Sequence, residues 1–151
     1  MIVPDVNLLV YAYDADSRFH AAARAWWQDC LSVGEAVGLP EVVVFGFVRI
    51  VTSARVFTHP MTPAEAAGHV REWLALPSVE ILEPQSDHVE RVLSLLETLG
   101  TGGNLVTDAQ IAALAMGAKA CLHTADADFL RVAELQWLNP LTGVRSQPLV
   151  P

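Results

Sequence analysis

The sequence predicts an α/β sandwich with a mostly parallel central sheet. Short strand-like runs alternate with longer helix-like runs along the 151 residues, and this alternation is typical of parallel strands joined by helical crossovers. Hydrophobic residues make up 52% of the chain, which favours a well-filled core over disorder. Because the chain has no internal repeat or linker-like stretch, we expect a single domain over residues 1–151.

The first half of the chain contains two predicted strands and four predicted helices. Pro4 lacks a backbone donor, which is a departure from an ordinary sheet strand. Pro40 suits the first position of the third helix, which carries Val42, Phe45, Val48 and Ile50. The strands are predicted at residues 2–4 and 36–39, and the helices at residues 6–13, 17–31, about 40–50 and 62–76, the last opening on the capping-box sequence Thr62-Pro63-Ala64-Glu65.

The second half continues the alternation. Its first helix is amphipathic, and its second is almost entirely apolar and is therefore expected to be buried. The amphipathic helix should bury Val89, Val92, Leu93 and Leu96 on one face. Strands are predicted at residues 79–82, at 120–123 and from Trp137, helices at 86–99 and 105–116, a loop at 100–103, a turn or short helix at 126–130, and an irregular tail from about residue 139.

Charge and apolar patterning narrow the possible functions. The net charge of −8 argues against general nucleic-acid binding through a basic face, but it does not exclude a nuclease whose metal site needs acids. No apolar run approaches the roughly 20 residues of a membrane span, and the N-terminus does not resemble a signal peptide. Cys30 and Cys121 are isolated, so we expect a reduced, cytoplasmic protein without a membrane partner.

Four arginines early in the chain admit two interpretations. They either supply a local patch that faces phosphate groups, or they are scattered over the surface. These residues are Arg18, Arg24, Arg49 and Arg55.

Carboxylates stand where predicted strands end and where apolar helices begin. Asp5 follows the first strand, Asp126 and Asp128 follow the strand at 120–123, and Glu41 and Asp108 lie in the first turns of apolar helices. In parallel sheets these positions share one edge. Acids brought together there repel one another, and a hard divalent cation removes that repulsion. Each acid alone also has an ordinary interpretation as a helix cap or a turn residue.

Four segments together resemble the acidic motifs of PIN-domain ribonucleases. More narrowly, the chain as far as about Trp137 resembles the VapC-like toxins of type II toxin–antitoxin systems. The resemblance implies a PIN-like three-layer α/β/α sandwich, metal-dependent endoribonuclease activity, and a small VapB-like antitoxin that holds the toxin inactive. The segments are Asp5-Val6-Asn7, Pro40-Glu41, Gly103-Asn104-Leu105-Val106-Thr107-Asp108-Ala109 and Thr124-Ala125-Asp126-Ala127-Asp128-Phe129.

The resemblance also assigns roles by position. Asp5 and Asp108 would bind Mg²⁺, with Mn²⁺ as a possible substitute, and Glu41 and Asp126 would complete the catalytic set. Asp128 is an alternative to Asp126 as the fourth acid. A water molecule activated by the metal would then attack the RNA phosphodiester. Two polar residues near the acids are interpreted as orienting groups, namely Asn7 and Thr124.

Trp26 and Trp27 bear on the oligomeric state. Neighbouring residues of a helix point about 100° apart, so the two indoles cannot share one narrow face. They indicate either a contact with a partner or a wide buried face. Since similar family members pair as homodimers, the resemblance implies a homodimer here.

Two other functions remain open at this point. Asp-dependent phosphatases and phosphoacceptor domains also place an aspartate at the end of the first strand. Against them, Asn7 stands where a haloacid-dehalogenase-like enzyme needs a second aspartate, and Lys119 precedes its strand instead of following it. The other alternative is a catalytically silent PIN-like module that binds only a protein, against which the full set of acids argues.

Overall fold

The central sheet has five parallel strands in the order β3-β2-β1-β4-β5. A computed structural model describes residues 1–32 and 34–147 of the chain. Helices cover the sheet, and this arrangement confirms the predicted α/β/α sandwich. The strands are β1 (Ile2–Pro4), β2 (Val37–Pro40), β3 (Val79–Leu82), β4 (Cys121–His123) and β5 (Trp137–Leu138). The helices are α1 (Val6–Tyr13), α2 (His20–Ser32), α3 (Glu41–Val51), α4 (Pro63–Leu74), α5 (His88–Leu99) and α6 (Leu105–Gly117), with a 3₁₀ helix at Ala127–Arg131.

Strands β1 and β4 lie side by side at the middle of the sheet. Val3 pairs with Leu122 and Pro4 with His123, and the chain leaves the two strands toward opposite edges. Such a reversal of strand order opens a crevice at the carboxyl ends of the strands. The fold therefore provides a cleft directly after Pro4 and His123.

Pro4 and Pro40 lie at strand ends, where the missing backbone N–H disrupts little of the hydrogen bonding of the sheet. Pro4 is the last residue of β1, and the next donor, the N–H of Asp5, bonds to the carbonyl of His123 at 2.9 Å. Pro40 ends β2 and precedes α3 as its N-cap, so the helix begins at Glu41 and not at the proline as predicted.

Two helices begin later than predicted because local hydrogen bonds hold a turn before each of them. The hydroxyl of Ser17 accepts the N–H of Phe19 at 3.1 Å, and its carbonyl accepts the N–H of His20 at 3.0 Å, so α2 begins at His20. A similar turn, from the N–H of His88 to the carbonyl of Gln85, delays α5. The capping box of α4 is confirmed, since Thr62 and Glu65 bond each other's backbone N–H groups.

The core contains an aromatic cluster that includes the tryptophan pair. Trp27 is only 2% exposed and meets the ring of Trp73 edge-on, with centroids 5.3 Å apart. Trp73 donates its indole N–H to the hydroxyl of Tyr13 at 2.8 Å. Trp26 is also buried. Both indoles are therefore largely buried, as a wide buried face predicts. Trp26 also lines a surface cleft of about 450 Å³, and its contact with a partner stays a prediction.

Two apolar helix faces differ from the prediction. On α5, Val92 is buried against Ala109 and Ala113 of α6, whereas Val89 and Leu93 are largely exposed. On α3 the predicted apolar positions are only partly buried or exposed, and Phe45 is 65% exposed. The core-facing residues of α3 are instead Val43, Val44, Phe47 and Val51.

The chain after β5 folds back over that strand. Leu138 forms a single antiparallel bridge with Arg145, and the N–H of Ser146 donates to the carbonyl of Trp137 at 2.9 Å. The sequence predicts an irregular tail from its prolines, and the described part of that tail is this turn. Pro148 and Pro151 lie outside the described residues. No helix in the described part of the chain is long and apolar enough to cross a bilayer.

Candidate metal centre

Asp5 is a buried carboxylate at the end of β1. Its Oδ1 accepts the N–H of Val6 at 2.7 Å, and so it caps helix α1. Its Oδ2 accepts the hydroxyl of Thr124 at 2.8 Å. Only 4% of Asp5 is exposed. Asp5 therefore acts as a helix cap and is, at the same time, a carboxylate held in one orientation at the mouth of the sheet.

Thr124 joins the two central strands through its side chain. The residue follows β4 directly and is buried, and its hydroxyl oxygen also accepts the N–H of Asp126 at 2.9 Å. Asp126 in turn accepts the N–H of Asp128 at 2.9 Å and caps the 3₁₀ helix. This series of hydrogen bonds fixes the turn after β4 relative to Asp5, and it connects Thr124 to both Asp5 and Asp126.

Three further carboxylates meet beside Asp5. Ligand oxygens of Asp108, Asp126 and Asp128 all lie within 4.8 Å of one another. Asp108 comes from the first turn of α6 and is half-buried, as is Asp126, while Asp128 is exposed. The structure thus brings both candidates for the fourth acid into one cluster.

The electrostatics of the cluster favour a cation. Burial, followed by the charges of Asp126 and Asp128, raises the pKa of Asp108 to about 6. Burial also raises the pKa of Asp5 to about 6, although the hydrogen bonds from Thr124 and Val6 oppose the shift. These acids are held together against their repulsion, and a divalent cation with a preference for oxygen ligands would relieve it. The donor set therefore fits a hard divalent cation.

Glu41 lies apart from this cluster. It is the exposed first residue of α3, and it lines a neighbouring cleft of about 450 Å³ together with Ile81, Leu82 and Gln110. Strand β2, which precedes Glu41, is separated by β1 from strand β4, which precedes Asp126. Among the described residues, the structure does not bring Glu41 into the group of converging acids. Asp5 also lies outside that group, but it is near enough for the charges of Asp108 and Asp126 to add to the effect of burial in raising its pKa.

The main cleft opens in front of Asp5 and Asp108 and has a volume of about 530 Å³. Its walls come from α1, α3 and the start of α6. Asn7, one of the predicted orienting groups, is exposed on its wall. Four further residues line this cleft, namely Phe45, Arg49, Asn104 and Thr107. Of the four arginines that could face phosphate groups, Arg49 is the one among the lining residues. The sequence pattern predicted Phe45 on an apolar helix face and assigned no binding role to Asn104 or Thr107.

Comparison with known proteins identifies the family. The family model described as "PIN domain" matches residues 2–135, which include β1, β4 and every acid discussed above. This chain belongs to the PIN-domain family. Ribonuclease VapC33 of Mycobacterium tuberculosis is 45% identical to it over 141 residues, covering 93% of this chain and 99% of that protein. The predicted family is thereby confirmed.

Solved structures confirm the PIN fold. The crystal structure of VapC20 of Mycobacterium tuberculosis, described as a sarcin-ricin loop cleaving toxin, matches with a TM-score of 0.65 and covers 86% of this chain and 93% of its own. VapBC-1 from nontypeable Haemophilus influenzae matches with a TM-score of 0.63 and covers 93% and 98%. The sequence identities are 18% and 19%, so these likenesses concern the fold alone.

A glycine lets the α3 wall of the PIN-domain cleft approach α1. A Cβ atom at Gly46 would lie 3.0 Å from Cγ2 of Val6, which is tighter than most such contacts. Val6 directly follows Asp5. The absence of a side chain at Gly46 therefore helps to determine how near the α3 wall lies to the acidic centre.

His123 contributes to the PIN-domain site through its backbone only. Its carbonyl accepts the N–H of Asp5, while its ring Nδ1 accepts the indole N–H of Trp26 at 2.9 Å. Burial lowers the pKa of His123 to about 4. The imidazole is therefore neutral near pH 7 and packs against α2.

Proposed function

We propose that this PIN-domain protein is a metal-dependent endoribonuclease that acts as the toxin of a toxin–antitoxin pair and hydrolyses RNA phosphodiester bonds. The observation that carries the proposal is the convergence of Asp108, Asp126 and Asp128 within 4.8 Å, beside the buried Asp5. The similarity to Ribonuclease VapC33 over 93% of the chain supports the same activity. The comparisons give no support to a phosphatase or to a silent binding module.

In this proposal Asp5 and Asp108 bind Mg²⁺, or Mn²⁺ in its place, and Glu41 and Asp126 complete the catalytic set. Asp128 shares the position of Asp126 in the cluster. When bound, the cation would lower the pKa of a water ligand and stabilise negative charge on the phosphate. An all-oxygen, partly open site suits Mg²⁺, which retains several of its waters.

The protein's own contribution is to hold the carboxylates in place. An ionised carboxylate offers about four lone-pair positions. Two hydrogen bonds, from Val6 and Thr124, fix the plane of the Asp5 carboxylate and leave capacity toward the cleft. Thr124 also fixes Asp126 through its backbone N–H. The ligands are thus oriented before a cation or RNA arrives, which reduces the cost of ordering them.

The proposal also includes an antitoxin partner, a homodimer and a cytoplasmic location. A small VapB-like antitoxin would bind and silence the protein, as the family resemblance implies. Val89, 70% exposed, and Leu93 stand one turn apart on α5 and offer apolar surface for a homodimer. Both Cys30 and Cys121 are free thiols, in keeping with a cytoplasmic location.

The test is cleavage of a broad RNA pool by the purified protein. Wild-type protein should cleave RNA with Mg²⁺ or Mn²⁺, and cleavage should stop with EDTA and in Asp5→Asn. Asp29→Asn removes an exposed acid of α2 outside the cluster and is the matched control, which should remain active. Cleavage by Asp5→Asn at the wild-type rate would contradict the proposed site. A folded protein that binds Mn²⁺ but cleaves no RNA would favour the silent module.

A further inference from the structure

We propose that Phe45 is a stacking platform for an unpaired base of the RNA substrate, and that Arg49 binds a phosphate beside that base. The inference rests on the proposed ribonuclease function and deepens it, because it names the residues that would position the RNA beside the acids. Phe45 and Arg49 act here as positioning residues, not as catalytic ones.

The first argument is the position of Phe45. Its side chain is 65% exposed, yet it lines the same cleft of about 530 Å³ as Asp5 and Asp108. Single exposed apolar residues are common on protein surfaces and need no explanation by themselves. An aromatic ring at the mouth of an acidic cleft is different, because every nucleobase has a π-face that can stack on it without regard to sequence.

The second argument is charge. Arg49 lies one helical turn after Phe45 on α3 and is also exposed in the cleft wall. Of the described residues that line this cleft, it alone is basic, and it forms no ion pair within the described part of the chain. In a protein of net charge −8, a phosphate that approaches the acids needs a local cation. Arg49 supplies it beside the ring.

The third argument is size and polarity. A cleft of about 530 Å³ falls within the range that holds a ligand of nucleotide dimensions. Asn7, Asn104 and Thr107 line the same space and are exposed, so their side chains can hydrogen-bond base edges or a ribose hydroxyl. A paired helix would keep its bases stacked and out of reach, and the arrangement therefore favours a single strand.

The experiment measures RNA binding separately from cleavage. Asp108→Asn serves as a non-cleaving background, and a fluorescein-labelled pool of short single-stranded RNA is the probe. Phe45→Ala and Phe45→Leu should each weaken binding at least about fivefold, whereas Phe45→Trp should bind like the parent because it keeps an aromatic face. Val56→Ala, which truncates an exposed apolar side chain on the loop after α3, is the matched control and should change nothing.

Two further readouts separate stacking from a general surface effect. Arg49→Gln should reduce the slope of log affinity against log salt by about 0.7, as expected for one lost phosphate contact on a single strand. RNA should quench the fluorescence of Phe45→Trp more than that of the parent protein, because the added indole stacks on a base.

The results that overturn the inference are specific. They are unchanged RNA affinity in Phe45→Ala and Phe45→Leu, absence of binding to the single-stranded pool by the parent, or equal binding of double-stranded RNA.

A shift from dimer to monomer in Phe45→Ala, measured by sedimentation with RNA affinity unchanged, would assign Phe45 to a contact between copies of this chain. If wild-type protein cleaves RNA while the Phe45 variants bind normally, only this inference fails. If Phe45-dependent binding is present but wild-type protein never cleaves, the proposed function fails instead.

Discussion

The carboxyl ends of β1 and β4 differ sharply from those of β2 and β3, although both carry an acid beside a cleft of similar volume. At the first edge, Asp5 is buried and hydrogen-bonded to Thr124, and Asp108, Asp126 and Asp128 converge on one another nearby. At the second edge, Glu41 stands exposed at the start of α3 beside Ile81 and Leu82.

The difference shows that the neighbourhood of the strands, more than the presence of an acid, decides where charge accumulates. Strands β1 and β4 are adjacent because the chain crosses the sheet between β3 and β4, so residues far apart in sequence meet at that point. Glu41 follows β2 and stays one strand further away. Burial and mutual repulsion then raise the pKa values of Asp5 and Asp108 to about 6.

The largest effect should come from Asp108→Asn. This change removes a proposed metal ligand from the β1–β4 edge while leaving the shape of the side chain nearly unchanged. Cleavage of RNA in Mg²⁺ should fall on the order of 10³-fold, since the cation's contribution amounts to several kcal/mol. The initial rate at saturating Mg²⁺ measures it. Retention of more than about a tenth of the activity would remove Asp108 from the proposed ligand set.

A smaller loss of RNA cleavage is expected when the acid at the β2–β3 edge is changed. Glu41→Gln should reduce cleavage by about 10- to 100-fold, because Glu41 lies outside the converging acids and would act through water. Single-turnover rates of Glu41→Gln and Asp108→Asn, measured side by side, check the ranking. If Glu41→Gln were the more damaging of the two, the contrast between the edges would be reversed.

The connection between β1 and β4 can be tested at Thr124. The hydrogen bond from Thr124 lowers the pKa of the Asp5 carboxyl, and Thr124→Val removes this bond, so the pKa of Asp5 should rise. The same change removes the hydroxyl oxygen that accepts the N–H of Asp126. We expect about a tenfold loss of activity, and the acid limb of the pH–rate profile should move to higher pH. Thr124→Ser keeps both hydrogen bonds and should restore the profile. A profile that does not move in Thr124→Val would show that Asp5 does not control that limb.

The smallest effect concerns stability without metal. The pKa of Asp108 is about 6 in the native protein, against the ordinary value of 3.8 that applies to the unfolded chain. Between these two pH values the native state therefore binds more protons than the unfolded state. The free energy of unfolding falls as the pH rises through this range. Asp108→Asn removes this loss. It should raise the free energy of unfolding by about 1 kcal/mol near neutral and higher pH, a value that is reduced because Asp108 is partly exposed. Near pH 4 the free energy of unfolding should not change.

Urea unfolding in EDTA at both pH values measures this difference. Glu80→Gln, which changes an exposed acid of β3 away from the cluster, is the control and should show no such pH dependence. Equal stability of Asp108→Asn and wild-type protein at both pH values would mean that burial and the neighbouring acids do not disfavour the charged form of Asp108 as the structure indicates.

Much of the fold could be predicted because local chemistry marks it. The capping box of Thr62 and Glu65 and the position of Asp5 after β1 are visible in the sequence and lie in the structure as expected. The alternation of strands and helices predicted the parallel sheet, and the resemblance of the acidic motifs predicted the PIN fold.

The remainder depends on packing that sequence spacing does not contain. The rotation of α3 about its own axis decides that Phe47 is buried and Phe45 exposed, and it brings Gly46 close to Val6 of α1. The order of the strands places β1 between the strand before Glu41 and the strand before Asp126. A hydrogen-bonded turn after β4 brings Asp128 together with Asp126, where the sequence left the two as alternatives.

The most direct test of the central claim is Mn²⁺ binding, measured by titration calorimetry on wild-type protein, Asp108→Asn and Glu41→Gln. If the β1–β4 edge is the metal centre, wild-type protein and Glu41→Gln should bind Mn²⁺ with similar affinity, and Asp108→Asn should bind at least about tenfold more weakly. Wild-type affinity in Asp108→Asn, or loss of binding only in Glu41→Gln, would place the metal at the other edge and contradict the account.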